Sequence, residues 1–282
     1  MSYECFEVQV ADGVAEIRLN RPENFNSMVP SFWTDLPAII KDLDRGNEAR
    51  AIVLTSTGKH FCAGMDLSVF TSPSSVNANG DGKAEAGRQR ANLRRNILEL
   101  QEAFSCLEKA RMPVLAAIQG GAIGGAVDMI TACDMRYMSE NAFLCIQEIN
   151  IGMTADVGTL QRLPKIIPEG IARELAYTGR RMSAQEARAC GLVNEVFPDE
   201  DALREGVLGV ARQIASKSPL AIWGTKEMIN YTRDHSVEDS LNYIATWQTG
   251  MFQPQDMAET FTAKMEKRDP EFADLLPIGK PI

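Results

Sequence analysis

Residues 113–132 read PVLAAIQGGAIGGAVDMITA, and this stretch decides what kind of fold the chain can form. Its first part, residues 113–118, is a short continuous apolar run, which is typical of a strand buried on both faces of a parallel sheet. A glycine cluster over 120–125 follows, and the pattern then predicts a helix over 126–132. A strand that ends in glycines before a helix indicates an α/β fold and leaves backbone N–H groups free where the helix begins.

Free N–H groups of this kind can bind an anion or an oxygen that becomes negatively charged during a reaction. Close packing of the helix on the strand explains the glycines equally well, and Ala122 interrupts the G-x-G-x-x-G pattern of dinucleotide-binding proteins. A second buried strand, 51–55, runs into STGKHFCAGMDL, where the amides of Gly64 and Met65 precede another predicted helix. The two turns together would supply two donors to one carbonyl oxygen, as an oxyanion hole requires.

The segments around these turns alternate between strand and helix. Strands are predicted at 6–10, 14–19, 134–138 and 142–146, and helices at 30–45 and 91–109. Residues 72–90 are polar and rich in Gly, Ser and Asn, which predicts a mobile surface loop. From residue 201 onward the periodicity is helical, so we expect an α/β core over 1–200 and a helical C-terminal region over 201–282.

The composition excludes several classes of protein. The 282 residues include 29 basic and 38 acidic side chains, a net charge of −9, which disfavours binding to nucleic acid or anionic lipid. No apolar run approaches the ~20 residues that span a bilayer. The first seven residues, MSYECFE, carry two acids and no base, which predicts no targeting peptide and a cytoplasmic, bacterial protein.

The potential metal ligands are also few. The six cysteines form no C-x-x-C pair, so we expect reduced, mostly buried thiols. Two histidines leave little for a zinc site or a Ser-His-Asp triad, and no metal or redox cofactor is predicted. The chemistry must therefore depend on carboxylates and backbone groups.

Three carboxylates lie in apolar or glycine-rich surroundings: Asp128 after the glycine cluster, Glu148 after strand 142–146, and Asp156 eight residues later. Each has a structural explanation, respectively a first-turn helix acid, a charge at a strand end and a helix N-cap. An unpaired carboxylate in apolar surroundings is costly, however, and burial would raise its pKa towards proton transfer at neutral pH.

At these residues the sequence resembles the crotonase (enoyl-CoA hydratase/isomerase) superfamily over essentially the whole chain. The matching motifs are HFCAGMDL at 60–67, AIGGAVD at 122–128, GTLQRLP at 158–164, and RMSA with ACGLV within 181–193. The resemblance implies a crotonase-type spiral of ββα units, a helical C-terminal region that forms a homotrimer or a dimer of trimers, and acyl-CoA substrates.

The resemblance also implies site residues. The thioester oxygen would lie between the amides of Met65 and Gly125, which stabilise an enolate. The substrate-binding residues would be Ala63, Gly64, Met65, Asp66, Leu67 and Gly125. CoA is part of the substrate, so no other cofactor is implied. Lys59 and Lys226 are basic candidates for the CoA phosphates, although solvated surface lysines explain both.

The set Asp128, Glu148 and Asp156 is similar to that of the dienoyl-CoA isomerases of this superfamily. A shift of 3,5-dienoyl-CoA to 2,4-dienoyl-CoA removes a proton at C2 and adds one at C6, and one side chain cannot easily reach both carbons. We expect Glu148 to be the base at C2, Asp156 the acid at C6 and Asp128 to orient them, or Asp128 and Asp156 to exchange roles. The alternatives are an enoyl-CoA hydratase, another crotonase-family enzyme, or a non-catalytic acyl-CoA binder.

Overall fold

A computed structural model describes residues 3–71 and 85–279 of the chain. The strands are β1 (Phe6–Ala11), β2 (Val14–Leu19), β3 (Ala51–Ser56), β4 (Val114–Ile118), β5 (Gly121–Ile123), β6 (Met135–Ser139), β7 (Phe143–Cys145), β8 (Met182–Ser183) and β9 (Glu195–Phe197). The helices are α1 (Pro30–Arg45), α2 (Leu67–Thr71), α3 (Ala86–Lys109), α4 (Gly125–Thr131), α5 (Thr159–Arg162), α6 (Glu169–Thr178), α7 (Ala184–Ala189), α8 (Glu200–Ala215), α9 (Pro219–Thr232), α10 (Val237–Met251) and α11 (Pro254–Glu266).

The strands form two sheets, and from β4 onward the chain alternates between them. The larger sheet has the order β1-β2-β3-β4-β6-β9, parallel except for the hairpin of β1 with β2, and the smaller has the order β5-β7-β8. After β4 the chain enters β5 and then α4, and after β6 it enters β7 and then the helices α5 and α6. This repetition is a spiral of ββα units, so the predicted fold class is confirmed.

Alternate residues of β3 show why its sequence is apolar throughout. Ala51 and Val53 face α8, where they pack with buried side chains such as Val207. Ile52 and Leu54 belong to the larger cluster on the opposite face, which includes residues of α1 and α3. A strand covered on both faces needs apolar side chains at every position, as its continuous run predicted.

The C-terminal helices differ in how they contact this core. Helix α8 lies beyond the predicted boundary at residue 200, yet it packs directly on β3, β4 and β6. Helices α9, α10 and α11 surround an apolar groove of about 920 Å³ that lies apart from the two glycine turns. The division at residue 200 therefore stays a prediction, and the contacts group α8 with the α/β core.

Lys226 on α9 has a structural role that the sequence did not suggest. Its buried Nζ donates to the carbonyl oxygens of Leu107 and Met112 at 2.9 and 3.0 Å and to Asp134 Oδ2 at 2.8 Å. All three N–H bonds are used and the side chain is buried, so Lys226 is neither a ligand of a CoA phosphate nor a solvated surface lysine, the two explanations that the sequence left open. Its ammonium group instead anchors α9 to the core.

Two further expectations concern the predicted loop over 72–90 and membrane-spanning helices. Helix α3 begins at Ala86, so 86–90 are helical, although the whole of 72–90 was predicted as loop. Residues 72–84 of that predicted loop lie outside the described residues. Within ranges 3–71 and 85–279, no helix is both long and apolar enough to cross a membrane.

Candidate active site

The two glycine turns lie side by side. Cys62 and Ala122 form a parallel bridge: Cys62 N–H donates to the Gly121 carbonyl, and Ile123 N–H donates to the Cys62 carbonyl. A Cβ built on Gly64 would lie 2.6 Å from the Ile123 carbonyl oxygen and 3.5 Å from the Gly125 nitrogen. The turn over 62–65 therefore passes directly over the turn over 122–125.

Both turns require glycine for their backbone shape. Gly64 has a φ of +82° and Gly124 a φ of +56°, where residues with a Cβ are disfavoured. A Cβ on Gly124 would also lie 3.2 Å from Glu148 Oε1. The carboxylate of Glu148 is thus packed against the peptide that precedes Gly125.

The N–H groups of Met65 and Gly125 remain free at these turns. Met65 lies in a parallel bridge with Met28, whose ladder uses the Gly64 carbonyl and the Asp66 N–H but not the Met65 N–H. Gly125 is the first residue of α4, where an N–H has no partner within the helix. In the described part of the chain neither amide has a hydrogen-bond acceptor.

Asp128, one turn into α4, is completely buried. Burial raises its pKa to about 6, and the negative charge of Asp156 adds to this shift. The Thr159 N–H, which donates to Asp128 Oδ1 at 2.6 Å, and the Arg162 guanidinium both oppose it. With a pKa of about 6, Asp128 is mostly ionised at pH 7 and keeps a protonated fraction of about a tenth.

Glu148 begins a short 3-10 turn directly after β7. Burial, and after it the charges of Asp128 and, to a smaller extent, Asp156, together raise the pKa of its half-buried carboxyl to about 7. A carboxylate with this pKa is both available at neutral pH and basic enough to accept a proton from carbon.

Asp156 lies in the irregular loop before α5, with its side chain open to solvent. The buried side chains of Ala155 and Val157 flank it, and Gln101 on α3 donates to its backbone carbonyl at 2.8 Å. Partial desolvation raises the pKa of Asp156 above its ordinary value. The charge of Asp156 is near enough to raise the pKa values of Asp128 and Glu148, and its exposure leaves it able to exchange protons with solvent.

Unpaired polar atoms converge on this region. Four buried side-chain oxygens in the described residues have no hydrogen-bond partner, and Asp128 Oδ2, Glu148 Oε2 and Thr159 Oγ1 are three of them. Buried polar atoms are nearly always paired in folded proteins. A cluster without partners indicates a site that a substrate or water fills.

An ion-pair chain supports the site from behind. Arg162 Nε donates to Glu108 Oε2 at 2.9 Å, and Arg233 at the end of α9 donates to Glu108 Oε1 at 2.7 Å. Burial alone would raise the pKa of Glu108, but the two guanidinium groups lower it below its ordinary value. The chain joins α3, α5 and α9 behind the carboxylates, and sequence reasoning did not detect it.

Other predicted substrate-binding residues have different surroundings. Asp66 caps the start of α2: Ser27 Oγ and Ser68 Oγ each donate to it at 2.6 Å, and these bonds lower its pKa to about 2. Ala63 is half-buried, whereas Leu67 and Lys59 are exposed. Substrate contacts at these positions stay predictions. The hydrogen bonds of Asp66 indicate that it holds the glycine turn over 62–65 in place.

Comparisons with known proteins identify the family of the chain. The family model described as Enoyl-CoA hydratase/isomerase matches residues 9–275. The chain belongs to the enoyl-CoA hydratase/isomerase family. Among curated members, it is 42% identical to the peroxisomal Delta(3,5)-Delta(2,4)-dienoyl-CoA isomerase of Arabidopsis thaliana, over 97% of this chain and 99% of the relative. The resemblance to this family and to its dienoyl-CoA isomerases is thereby confirmed.

Two other members of the enoyl-CoA hydratase/isomerase family extend the comparison. The mitochondrial dienoyl-CoA isomerase of Homo sapiens is 42% identical over 95% of this chain and 81% of the relative. A crystal structure of enoyl-CoA hydratase from Bacillus anthracis superimposes with a TM-score of 0.82 at 30% identity, covering 98% of this chain and 100% of that one. The names of the curated isomerases specify peroxisomes or mitochondria, so the predicted cytoplasmic location has no support from them.

Proposed function

We propose that this enzyme converts 3,5-dienoyl-CoA to 2,4-dienoyl-CoA. The observation that carries the proposal is a set of three carboxylates with raised pKa values, one of them packed against the turn that bears a free amide, in a chain 42% identical to a dienoyl-CoA isomerase. The amides of Met65 and Gly125 would bind the thioester oxygen, and the enzyme would use CoA only as part of its substrate. No metal or redox cofactor enters the proposed reaction.

The proposed first step is proton removal from C2 by Glu148. Its carboxylate packs against Gly124, next to the Gly125 amide, so the base lies close to the carbon beside the bound carbonyl. The electron pair of the C2–H bond becomes part of a dienolate, whose negative oxygen the two amides stabilise. Loss of one such donor typically lowers the rate by about 10²–10³.

The proposed second step is protonation of C6 by Asp156. The C5=C6 pair forms the new C6–H bond, and the remaining double bonds become C2=C3 and C4=C5. Asp128 affects the pKa of Glu148 more than Asp156 does, which supports Asp156 as the more distant group. Asp128 would act on both groups as the orienting charge. Glu148 finishes protonated and Asp156 ionised, and exchange with solvent resets both.

The activity is tested with a 3,5-dienoyl-CoA, by following the ultraviolet absorbance of the conjugated 2,4-dienoyl product. Hydration of a 2-enoyl-CoA is measured in parallel. Fast isomerisation with feeble hydration is the expected result. Efficient hydration without isomerisation would make the protein a hydratase, and binding of acyl-CoA with neither reaction would make it a non-catalytic binder.

The proposed assembly is a homotrimer or a dimer of trimers formed through the C-terminal helices. Exposed apolar side chains lie along and beside the groove of α9–α11, namely Ile229, Val237, Leu241, Met257, Phe261 and Met265. A second copy of the chain is the occupant we propose, because apolar surface of this extent is costly to leave in water. Sedimentation velocity distinguishes monomer, trimer and hexamer directly.

A further inference from the structure

The two glycine turns cross at a contact that the proposed mechanism has not used. The Gly121 N–H donates to Nδ1 of His60 at 2.9 Å. Gly121 begins β5, which leads within four residues to the Gly125 amide, and His60 begins the segment that leads to the Met65 amide. The imidazole thus joins the two chain segments on which both oxyanion donors are carried.

The His60 side chain accepts a hydrogen bond that a backbone carbonyl would ordinarily accept. In a regular parallel ladder continued from the Cys62–Ala122 bridge, the carbonyl of His60 would accept the Gly121 N–H. That carbonyl instead accepts the side-chain amide of Asn26 at 2.9 Å. Without an acceptor at His60 Nδ1, the first N–H of β5 would lose its partner in this ladder.

The two segments approach each other closely around the imidazole. A Cβ on Gly120 would lie 2.0 Å from the Lys59 carbonyl oxygen, and one on Gly121 would lie 3.2 Å from His60 Nδ1 and 2.9 Å from Phe143 Cζ. The His60 ring also packs against Phe25, with centroids 5.4 Å apart. The ring therefore lies between the Gly121 backbone and the Phe25 side chain.

We propose that His60 is a positioning residue: its neutral imidazole accepts the Gly121 N–H and thereby holds the Met65 and Gly125 amides at the separation that binds one oxygen. The inference rests on the proposed isomerase function. Because a backbone N–H can only donate, Nδ1 must be unprotonated and the ring proton must lie on Nε2.

The charges around the ring favour this neutral form. Burial lowers the pKa of His60, and the positive charges of Lys59 on the same segment and Arg181 before β8 lower it further. The Arg181 guanidinium lies 4.2 Å from the centroid of the Phe143 ring, whose edge faces His60. An imidazolium would offer a donor where the Gly121 N–H needs an acceptor, so protonation would break the contact.

The test compares His60→Leu, which removes the acceptor, with His60→Asn, whose Oδ1 can accept the same N–H but does not titrate. His235→Asn, at the exposed histidine between α9 and α10, is the matched control. We expect kcat to fall about tenfold in His60→Leu, since a misplaced donor loses part of the 10²–10³ that it contributes. KM should change less, and His60→Asn should stay within about threefold of the wild type on the same scale.

Hydrogen–deuterium exchange measured by mass spectrometry tests the contact independently of activity. The peptide containing Gly121 should exchange about tenfold faster in His60→Leu, as expected for loss of one hydrogen bond, and at the wild-type rate in His60→Asn.

Wild-type turnover and exchange in His60→Leu would overturn the inference and leave the isomerase proposal intact. A wild-type enzyme that does not isomerise would overturn the proposed function, and the exchange result would still decide whether His60 holds the turns. If His60→Leu does not fold, fast exchange of Gly121 in folded His60→Asn would contradict the inference.

Discussion

At the scale of single residues, burial divides three chemically similar carboxylates into different roles. Glu148 and Asp128 are held where ionisation is costly, so their pKa values rise to about 7 and about 6. Asp156 is less buried than these two and is open to solvent. Partial desolvation still raises its pKa above the ordinary value. The arrangement provides a base near neutrality and an acid that solvent can reload, as a reaction with two proton transfers requires.

The pKa of Glu148 predicts how activity depends on pH. Glu148 must be ionised to remove the C2 proton, so kcat/KM should fall as pH decreases through about 7. The measurement is kcat/KM between pH 5 and pH 9, with each acid-treated sample assayed again at pH 8 to confirm that it stays folded. An acid limb near pH 4.5, the ordinary value for glutamate, would contradict the assignment.

Replacement of Glu148 should lower the activity of the enzyme and increase its stability. The folded-state pKa of Glu148 is raised, so the folded protein binds this proton more tightly than the unfolded chain and loses stability as pH rises towards about 7. Glu148→Gln removes that cost and should increase the free energy of unfolding at pH 8 by about 1–3 kcal/mol, at about 1.4 kcal/mol per pKa unit.

Denaturant unfolding of Glu148→Gln and the wild type at pH 8 and at pH 4 provides the measurement. The gain should shrink towards pH 4, and kcat should fall by about 10²–10⁴. Glu238→Gln is the matched control, because Glu238 is exposed in the first turn of α10. Equal stability of Glu148→Gln and wild type at pH 8 would show that the carboxylate is not held against its ionisation.

The residue scale also shows what the sequence could predict about the site. Asp128, Glu148 and Asp156 were identifiable because acids in apolar runs are unusual. The structure places Asp128 one turn after the glycine cluster and Glu148 against Gly124, and the charge of Asp156 acts on both. The buried role of Lys226 was not predicted, since the sequence around a helical lysine does not show which carbonyl groups of other elements lie near it. The contacts of His60 and Gln101 depend on chain crossings that no local pattern contains.

At the scale of elements, the start of α5 depends on one glycine. Gly158 has a φ of +141°, and a Cβ there would lie 1.8 Å from Nη1 of Arg162. The guanidinium occupies that space while it binds Glu108 and supports the segment whose Thr159 N–H contacts Asp128. The backbone conformation at Gly158 and the ion pair of Arg162 with Glu108 therefore depend on each other.

We predict that Gly158→Ala destabilises the protein by about 2–4 kcal/mol, because both the strained backbone and the displaced Arg162 oppose it. Gly170→Ala is the matched control: Gly170 lies in α6 with open space around its Cα, so alanine should be neutral or stabilising by up to about 1 kcal/mol. Urea unfolding of both variants tests the pair. Gly158→Ala with wild-type stability would show that Arg162 has room to move.

The elements themselves were predicted where their hydrophobic pattern is strong. Helix α1 and the hairpin of β1 with β2 match their predicted ranges closely, because one face or alternate side chains are buried. The short strands β5 and β8 were not predicted, since three glycine-rich or two isolated residues carry no periodicity. They exist because neighbouring strands supply their hydrogen-bond partners.

At the scale of the whole molecule, the C-terminal helices are only partly anchored by the core. Lys226 holds α9, and the ion pairs of Arg233 and Asp234 with Glu108 and Lys165 hold its end. The groove of α9–α11 nevertheless leaves large apolar side chains such as Leu241 and Phe261 exposed. Assembly with further copies would cover them and would fix the helices behind the active site.

We predict that Leu241→Glu shifts the proposed trimer or hexamer to monomers without unfolding the core. A buried charge at an apolar interface costs several kcal/mol, roughly the loss of a factor of 10² or more in affinity. Sedimentation velocity measures the shift, and far-ultraviolet circular dichroism confirms the fold. Val10→Glu, at an exposed apolar position on β1, is the control and should leave the assembly unchanged. An unaffected assembly in Leu241→Glu would place the interface elsewhere.

The most direct test of the account is isomerisation of a 3,5-dienoyl-CoA in D₂O, with the product analysed by NMR. The account predicts growth of the conjugated 2,4-dienoyl thioester with solvent deuterium at C6, because the solvent-accessible Asp156 delivers that proton while Glu148 holds the one from C2. Product in which C6 carries the hydrogen removed from C2 would contradict the two-carboxylate mechanism, and no conjugated product at all would contradict the proposed function.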